Sequence, residues 1–119
     1  MPSRDFKRAD RVAAELRREL GTLVHRAVRD HALPETSVID VEVTKDFDSA
    51  TVWVTLLQAE EATAAVKELN AMAGEFRRLL SRSMRMRRVP ELHFRYDDSA
   101  DKAQRIESLL QREKDAGRL

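Results

Sequence analysis

Residues 38–56 have the sequence VIDVEVTKDFDSATVWVTL, in which apolar and polar side chains alternate in two runs. The apolar positions are Ile39, Val41 and Val43 in the first run and Ala50, Val52, Val54 and Leu56 in the second. A period of two places successive side chains on opposite faces of a strand. The short link Asp46-Phe47-Asp48 has the composition of a turn. The stretch therefore predicts a β-hairpin with one buried face and one solvated face.

The segment before this hairpin has the period of a helix. Its apolar residues recur at steps of three and four, on the opposite side from several arginines: Val12, Leu16, Leu20, Leu23, Val24 and Val28 against Arg11, Arg18, Arg26 and Arg29. This spacing predicts one long amphipathic helix over about residues 8–30. Pro34 ends the helical region, because the residue before a proline avoids helical backbone angles.

The segment after the hairpin predicts two helices that meet at a kink. Residues 60–86 have helical periodicity, but the apolar stripe changes phase across Met72-Ala73-Gly74. A glycine inside a helix costs about 1 kcal/mol relative to alanine, and helix kinks often fall at such positions. We therefore predict a break between paired helices at residues 72–74.

The last third of the chain predicts one strand and one helix. Pro90 ends the helical region, and Leu92, Phe94 and Tyr96 then alternate with polar residues as a third strand. Asp98 or Ser99 is suited to cap a final helix, whose apolar positions are Ala103, Ile106, Leu109 and Leu110. The polar end, residues 111–119, is predicted to fray.

These elements predict an α+β fold in the order α-β-β-α-kink-α-β-α. A three-stranded sheet with an apolar face needs helices to cover that face, so the expected architecture has two layers, with helices on one side of the sheet. The length of 119 residues and the absence of a linker or internal repeat favour a single domain over residues 1–119.

Composition restricts the class of protein. Hydrophobic residues make up 42% of the chain and charged residues 36%, as in a globular protein with a heavily charged surface. The absence of cysteine excludes disulfide frameworks and cysteine nucleophiles. No apolar run approaches the roughly 20 residues of a membrane span, and the polar N-terminus does not resemble a targeting peptide. We therefore expect a cytoplasmic protein without a membrane partner.

Charge is distributed unevenly along the chain. The formal net charge is only +1, but residues 1–30 carry +3, residues 31–73 carry −6, residues 74–95 carry +5 and residues 96–119 carry −1. Six arginines fall between residues 74 and 90 against a single acidic residue. A near-neutral protein with one concentrated basic segment has a directional field suited to an anionic partner. The alternative is an ordinary solvated helix face.

The sequence contains no recognisable catalytic, metal-binding or phosphate-binding motif. His25, His31 and His93 have no metal-ligand spacing, and three scattered glycines cannot form a phosphate-binding loop. A cluster of aspartates suits a helix start, where acidic groups favour the N-terminal end of the helix dipole: Asp97, Asp98 and Asp101. We therefore expect no enzyme activity, no cofactor and no metal site.

The predicted order of elements is that of the type II, or bacterial, KH domain, a reader of single-stranded RNA that normally carries a GxxG loop between its second and third helices. This chain lacks GxxG. Its sequence resembles instead the ribosome-binding factor A family, in which an alanine-x-glycine turn replaces that loop. The resemblance rests on residues 11–13, 41–54 and 74–80 and above all on MRMRRVPELHFRYDDS at 84–99, and it continues to Leu110.

Membership of this family would imply binding to the small ribosomal subunit and its ribosomal RNA, near the 5′ end of that RNA and the neck of the subunit. It would also imply a role in late maturation and RNA processing, most needed at low temperature, a monomeric protein, and an assembly GTPase as a partner. Two positions depart from the family pattern: Met72 stands where the family has alanine, and Glu75 where an aromatic residue is frequent.

The candidate RNA-binding residues are basic. Arg78, Arg82 and Arg85 are spaced to line one side of the helix after the kink, with Arg77 beside them. Phosphate contacts by such residues supply most non-specific affinity for nucleic acid. The further candidates are Arg87, Arg88, Lys45, Arg8 and Arg11. The alternative for each is a surface salt bridge. Trp53, on the solvated face of the hairpin, is expected to pack against strand neighbours or against a terminal segment rather than stack on a base.

A second class of function fits the same sequence. A KH-like module associated with the ribosome could dock on a protein surface and leave RNA untouched. The two hypotheses differ in salt dependence, because RNA binding through arginines weakens steeply as salt rises.

Overall fold

The structure is a computed structural model and describes residues 4–117. Within this range the elements follow the predicted order, with one short 3₁₀ turn added at Ala59–Glu61. Their bounds are α1 Arg4–Asp30, β1 Thr36–Val43, β2 Ser49–Leu56, α2 Ala62–Ala71, α3 Ala73–Ser83, β3 Glu91–Tyr96 and α4 Ser99–Asp115.

The three strands form one sheet in the order β1-β2-β3. β1 and β2 are antiparallel, as the hairpin requires, and β2 pairs with β3 in parallel. The parallel pairing needs a crossover, which α2 and α3 provide. The core side of β2 and β3 consists of buried apolar residues: Ala50, Val52, Val54, Leu56, Leu92 and Phe94.

The register of β1 differs from simple alternation at one residue. A β-bulge lies between Val38 and Asp40, so that two residues of β1 oppose one residue of β2. Ile39 is consequently 39% exposed, while Val38 packs partly against the core and Val41 is buried. The predicted inward position of Ile39 is therefore wrong, because a period-two pattern cannot show an inserted residue.

Helices cover one side of this sheet. α1 packs on β1, and α2 and α3 pack on β3. The helical part of the core is continuous with that of the sheet and includes Leu16, Leu20, Val24, Leu69, Phe76, Leu80 and Met84. On the other side of the sheet, the indole N–H of Trp53 donates to Glu42 Oε1 across the hairpin at 3.1 Å. The expectation that Trp53 packs against strand neighbours is confirmed.

The kink between α2 and α3 lies at a single residue. Met72 ends α2 and begins α3, with φ −89° and ψ −2°. Its backbone N–H is shared between the carbonyls of Glu68 and Leu69, each at 3.1 Å, a three-centre pattern common at helix ends. The predicted break at residues 72–74 is confirmed. A side chain added at Gly74 would meet no described atom within 4 Å, so close packing does not require a glycine there.

Helix α4 extends away from the two layers and has no buried residue. Its apolar residues are more than half exposed: Ile106, Leu109 and Leu110. The radius of gyration is 17.6 Å, against about 13.5 Å for a compact domain of this length. The helix continues to Asp115, although residues 111–119 were expected to fray. Residues 118 and 119 lie outside the described residues.

Within residues 4–117, none of the helices is both long and apolar enough to cross a membrane.

Candidate nucleic-acid interface

Helix α3 separates apolar from basic side chains, as the sequence predicts for Arg78 and Arg82. The predicted place of Arg85 on the same helix is wrong, because α3 ends at Ser83 and the backbone is extended at Met84. Phe76 and Leu80 are buried against the sheet, whereas Arg78 and Arg82 are exposed. Arg78 Nη2 lies 3.7 Å from Glu75 Oε1 one turn earlier. Because both side chains are 57% exposed, this pair is a weak surface interaction. The guanidinium of Arg78 therefore stays accessible to an anion.

Arg77 is placed differently from its neighbours. Its Nη2 donates to the carbonyl oxygen of Val89 at 2.9 Å, and its Nε is buried without a hydrogen-bond partner among the described residues. The hydrogen bond ties α3 to the segment that leads into β3. Sequence reasoning grouped Arg77 with the solvated arginines, because nothing in a helical period identifies a side chain that reaches a distant carbonyl.

The segment between α3 and β3 brings three arginines towards the N-terminal half of α1. Arg85, Arg87 and Arg88 line a cavity of about 320 Å³ together with Arg8 from α1 and Phe47 from the hairpin turn. We call this cavity the basic notch. Its remaining lining residues are Val12, Glu15, Asp46, Asp48 and Met86. Residues that are up to 80 positions apart in sequence thus meet at one site.

The hairpin turn that forms one wall of the notch is held by its own side chains. The hydroxyl of Thr44 donates to Asp46 Oδ1 at 2.7 Å, and the backbone N–H of Asp48 donates to the same oxygen at 3.0 Å. These two bonds hold the pKa of Asp46 below its ordinary value. Phe47, which lies between Asp46 and Asp48, has φ +61°. This left-handed backbone conformation is unusual for a bulky residue. The turn thereby holds the Phe47 ring against the notch.

The charges around the notch are only partly compensated. Arg88 Nη1 lies 3.2 Å from Asp48 Oδ1, and the Arg8 guanidinium lies over the Phe47 ring, 5.3 Å from its centroid. A cation over an aromatic face is held by the ring quadrupole. Arg85 and Arg87 are exposed and form no ion pair with a described residue. The notch therefore presents arginine donors for which the described residues supply few anionic partners.

The other sequence-predicted residues do not line the notch. Arg11 is exposed on α1, one turn beyond Arg8, and Lys45 is exposed in the hairpin turn. Arg78 and Arg82 lie on the outer face of α3. The structure therefore brings Arg8, Arg85, Arg87 and Arg88 together and gives Arg77 a separate contact.

A second concavity of about 650 Å³ lies between the kink and β3, lined in part by Gly74, His93 and Arg95. Within this concavity, the side chain of Asn70 is hydrogen-bonded to the backbone at the exposed edge of β3. The Asn70 amide donates to the carbonyl of Phe94 at 3.1 Å, and its Oδ1 accepts the Phe94 N–H at 2.8 Å. Asn70 therefore occupies the backbone groups that an extended ligand would use there. Sequence reasoning missed this residue, since the interaction spans 24 positions.

The aspartates near the start of α4 have structural partners. Asp97 Oδ1 accepts the Ser99 N–H at 2.8 Å, and the hydrogen bonds from Ser99 lower the pKa of Asp97. Asp98 pairs with Lys102 at 3.3 Å. Asp101 accepts the hydroxyl of Tyr96, which raises the pKa of Tyr96 to about 12. In the described part of the chain, no group of three His, Asp or Glu residues could hold a metal ion.

Comparison with known proteins identifies the family. The family model of ribosome-binding factor A matches residues 8–110. Ribosome-binding factor A of Xanthomonas euvesicatoria pv. vesicatoria is 54% identical over 117 residues, which cover 98% of this chain and 90% of the relative. That of Xylella fastidiosa is 54% identical over 110 residues, which cover 92% of this chain and 88% of the relative.

Solved structures agree with this identification. A crystal structure of ribosome-binding factor A from Thermus thermophilus matches with a TM-score of 0.64 at 30% identity, covering 74% of this chain and 94% of that one. A homology model of Thermus thermophilus ribosome-binding factor A, fitted into a cryo-EM map of its complex with the 30S subunit, matches with a TM-score of 0.56 at 26% identity. The match covers 72% of this chain and 91% of that one. The fold is KH-like, and the chain belongs to the ribosome-binding factor A family.

Proposed function

We propose that the protein binds the small ribosomal subunit and contacts its ribosomal RNA through the basic notch. In this proposal it is a monomeric, non-enzymatic factor of the cytoplasm. It assists late maturation of the subunit and processing of its RNA, most of all at low temperature, and an assembly GTPase acts with it. Membership of the ribosome-binding factor A family and the fitted 30S complex of a relative support the ribosomal partner.

The observation that carries the RNA contact is the convergence of four arginines, of which Arg88 alone forms an ion pair with a described residue. Arg85 and Arg87 have no ion-pair partner among the described residues, and Arg8 is held by an aromatic ring rather than by an acid. Guanidinium groups bind phosphate oxygens through two parallel hydrogen bonds, which are stronger and more directional than those of lysine. Arginines that meet in a cavity are therefore suited to a phosphate backbone.

The acidic residues of the notch do not oppose this role strongly. The side chains of Arg88 and Asp48 are 69% and 53% exposed. Ion pairs between exposed side chains contribute about 0–1 kcal/mol to stability. An incoming phosphate can therefore replace Asp48 as the partner of Arg88 at small cost. Asp46 is engaged by Thr44 and Asp48 of its own turn.

The proposed contact is largely independent of base sequence. Phosphate contacts position a protein on nucleic acid but carry no sequence information directly. The groove beside the kink has its strand edge closed at Phe94 by Asn70, so backbone groups at that position are not available to read bases. The position on the ribosome is then selected by RNA shape and by contacts elsewhere on the subunit.

The remaining basic residues have assigned places in this proposal. Arg78, Arg82, Lys45 and Arg11 extend the phosphate-binding surface around the notch. Arg77 acts as a positioning residue, because its bond to Val89 fixes the segment that carries Arg85, Arg87 and Arg88.

Sedimentation of cell extract through a density gradient tests the proposal. The tagged parent protein should travel with free small subunits and not with complete ribosomes. A variant with Arg85, Arg87 and Arg88 changed to glutamate should leave the small-subunit fractions, because reversed charges repel phosphate. A matched α4 variant with Arg105, Arg112 and Lys114 changed to glutamate should remain there. If the folded notch variant still sediments with small subunits, the notch is not the site of contact.

Protein docking is the second candidate function, and one observation favours it. The apolar residues Ile106, Leu109 and Leu110 lie exposed along α4, and an exposed apolar stripe is typical of a surface that meets another protein. If the notch variant binds small subunits normally while Leu109→Asp and Leu110→Asp abolish binding, docking through α4 replaces the RNA contact.

A further inference from the structure

The outward face of α1 carries a row of basic residues that the notch does not use. Arg11, Arg18 and His25 are separated by seven residues each, and all three are exposed. Residues seven apart in a helix lie on nearly the same line, with a drift of about 20° per heptad. Arg29 continues the row, four residues beyond His25. From Arg11 to Arg29 the row extends for about 27 Å along the helix axis.

Beside this row, α1 and the outer part of β1 enclose a trough of about 750 Å³. Its basic lining residues are Arg17, Arg18 and His25, and no residue that lines it is acidic. Its other lining residues on α1 are small: Ala14, Gly21 and Thr22. A side chain added at Gly21 would meet no described atom within 4 Å, so this part of the helix surface is open.

The arginines of the trough are largely uncompensated. Arg18 Nη2 lies 3.9 Å from Glu19 Oε1, but the Arg18 side chain is 76% exposed, so this pair holds the guanidinium weakly. Neither Arg17 nor His25 forms an ion pair with a described residue. Arg11 joins the row to the notch, since it lies one helical turn from Arg8.

We propose that the trough and the outward face of α1 form a second phosphate-binding surface, which holds a strand of the same ribosomal RNA that enters the basic notch. This inference rests on the proposed function and extends its footprint along α1. The RNA path would run from the notch over Arg11 and Arg18 to His25 and Arg29. Long cationic side chains then contact phosphates on both sides of a strand that lies over the small residues.

An acidic peptide is the alternative anion, and the edge of β1 makes it less suitable. A peptide would gain affinity by adding a strand to a free sheet edge. The bulge between Val38 and Asp40 interrupts the regular hydrogen-bonding positions beside the trough, and bulges of this kind protect edges from such pairing. A sugar–phosphate strand needs no backbone ladder and is bound by the arginines alone.

The absence of cysteine from the chain permits a direct test. Single cysteines at Thr22 in the trough, at Ser83, two residues before Arg85 of the notch, and at Gln104 on α4 can each carry a tethered iron–EDTA probe. With the full-length protein bound to purified small subunits, hydroxyl radicals from Thr22→Cys and Ser83→Cys should cleave ribosomal RNA at neighbouring positions. The probe at Gln104→Cys should give weaker and different cleavage.

The outcomes separate this inference from the proposed function. Cleavage from Ser83→Cys without cleavage from Thr22→Cys would overturn the second surface and leave the notch in place. Absence of cleavage from both positions, with the protein still bound, would overturn RNA binding at the notch as well. Cleavage from both positions at neighbouring nucleotides supports one continuous path.

Neutralising the trough provides an independent readout with two anionic probes. The variant Arg17→Gln, Arg18→Gln, His25→Gln should bind small-subunit RNA more weakly, and the slope of log K against log salt should fall by about 0.7 for each phosphate that the variant no longer binds. Changing Arg105, Arg112 and Lys114 to glutamine on α4 should leave the slope unchanged. If the trough variant keeps the parent slope on RNA but loses affinity for polyglutamate, the surface serves an acidic protein and the inference is wrong.

Discussion

Arg77 and Arg78 are adjacent in sequence and have opposite roles in the structure. Arg77 reaches across to the carbonyl of Val89 at 2.9 Å, while Arg78 is exposed and only weakly paired with Glu75. The two positions make a matched comparison, because substitution removes the same side chain from the same helix. They differ only in what that side chain contacts.

Replacing Arg77 by alanine should lower the free energy of unfolding by about 1.5–3 kcal/mol, the range for a hydrogen bond to a charged group. Replacing Arg78 by alanine should change it by less than about 0.5 kcal/mol, as for most exposed positions. Urea unfolding monitored by circular dichroism measures both. Equal midpoints for the two variants would show that the Arg77–Val89 bond does not hold the segment after α3.

Tyr96 offers a second test at the scale of one residue. The hydrogen bond to Asp101 is the main cause that raises the pKa of Tyr96 to about 12, from an ordinary value of 10.0. The neutral phenol is therefore favoured in the folded protein. This contribution to stability is fully present below pH 10 and is lost as the pH rises through about 12.

Because Tyr96 is the only tyrosine in the chain, the ultraviolet absorbance of tyrosinate reports this group alone. The titration midpoint should lie near 12 in the parent and move towards 10 in Asp101→Asn. A parent midpoint near 10, or no change in the variant, would mean that α4 is not tied to the end of β3 by this bond.

At the scale of the elements, the phase of α3 decides which side chains face the RNA. Leu80 is completely buried between α3 and the sheet, on the opposite side of the helix from Arg78 and Arg82. Leu80→Ala should therefore cost about 2–5 kcal/mol of unfolding free energy, as buried leucine-to-alanine changes do. Thermal melts of the parent and the variant measure the difference. Coincident melts would show that α3 is rotated, and with it the basic face.

Elements with a strong local pattern could be predicted from sequence. The hairpin, the long first helix and the break at Met72 follow from periodicity, and the structure has all three. The bulge at Ile39 could not be predicted in this way, because an inserted residue is visible only in the pairing with β2. The roles of Arg77 and Asn70 were also hidden, since each side chain bonds to backbone groups of a distant segment.

The candidate site was predicted as a list of basic residues, and its geometry was not. Sequence spacing placed Arg78, Arg82 and Arg85 on one side of a helix, which is a local inference. The notch depends on the packing of α1, the hairpin turn and the segment after α3. No periodicity relates Arg8 to Arg87, so only the tertiary structure brings them together.

At the scale of the whole molecule, the fold brings the two basic segments of the sequence together. The basic stretch 74–95 and the basic first helix meet at the notch, while the acidic stretch 31–73 forms β1, β2 and α2 and reaches the notch through its hairpin turn, at Asp46 and Asp48. A near-neutral protein thereby acquires a face that attracts phosphate and another that does not. Helix α4 extends beyond both faces and carries the apolar residues that remain exposed.

The central claim is that the arginines of the notch bind ribosomal RNA through its phosphates, and salt dependence tests it most directly. Affinity for small-subunit RNA should be measured at several salt concentrations for the parent and for Arg85→Gln, Arg87→Gln, Arg88→Gln. The slope of log K against log salt should fall by about 2 in this variant, at about 0.7 for each single-strand phosphate contact. Its melting temperature should match the parent, because these side chains are exposed. A folded notch variant with the affinity and salt slope of the parent would contradict the account.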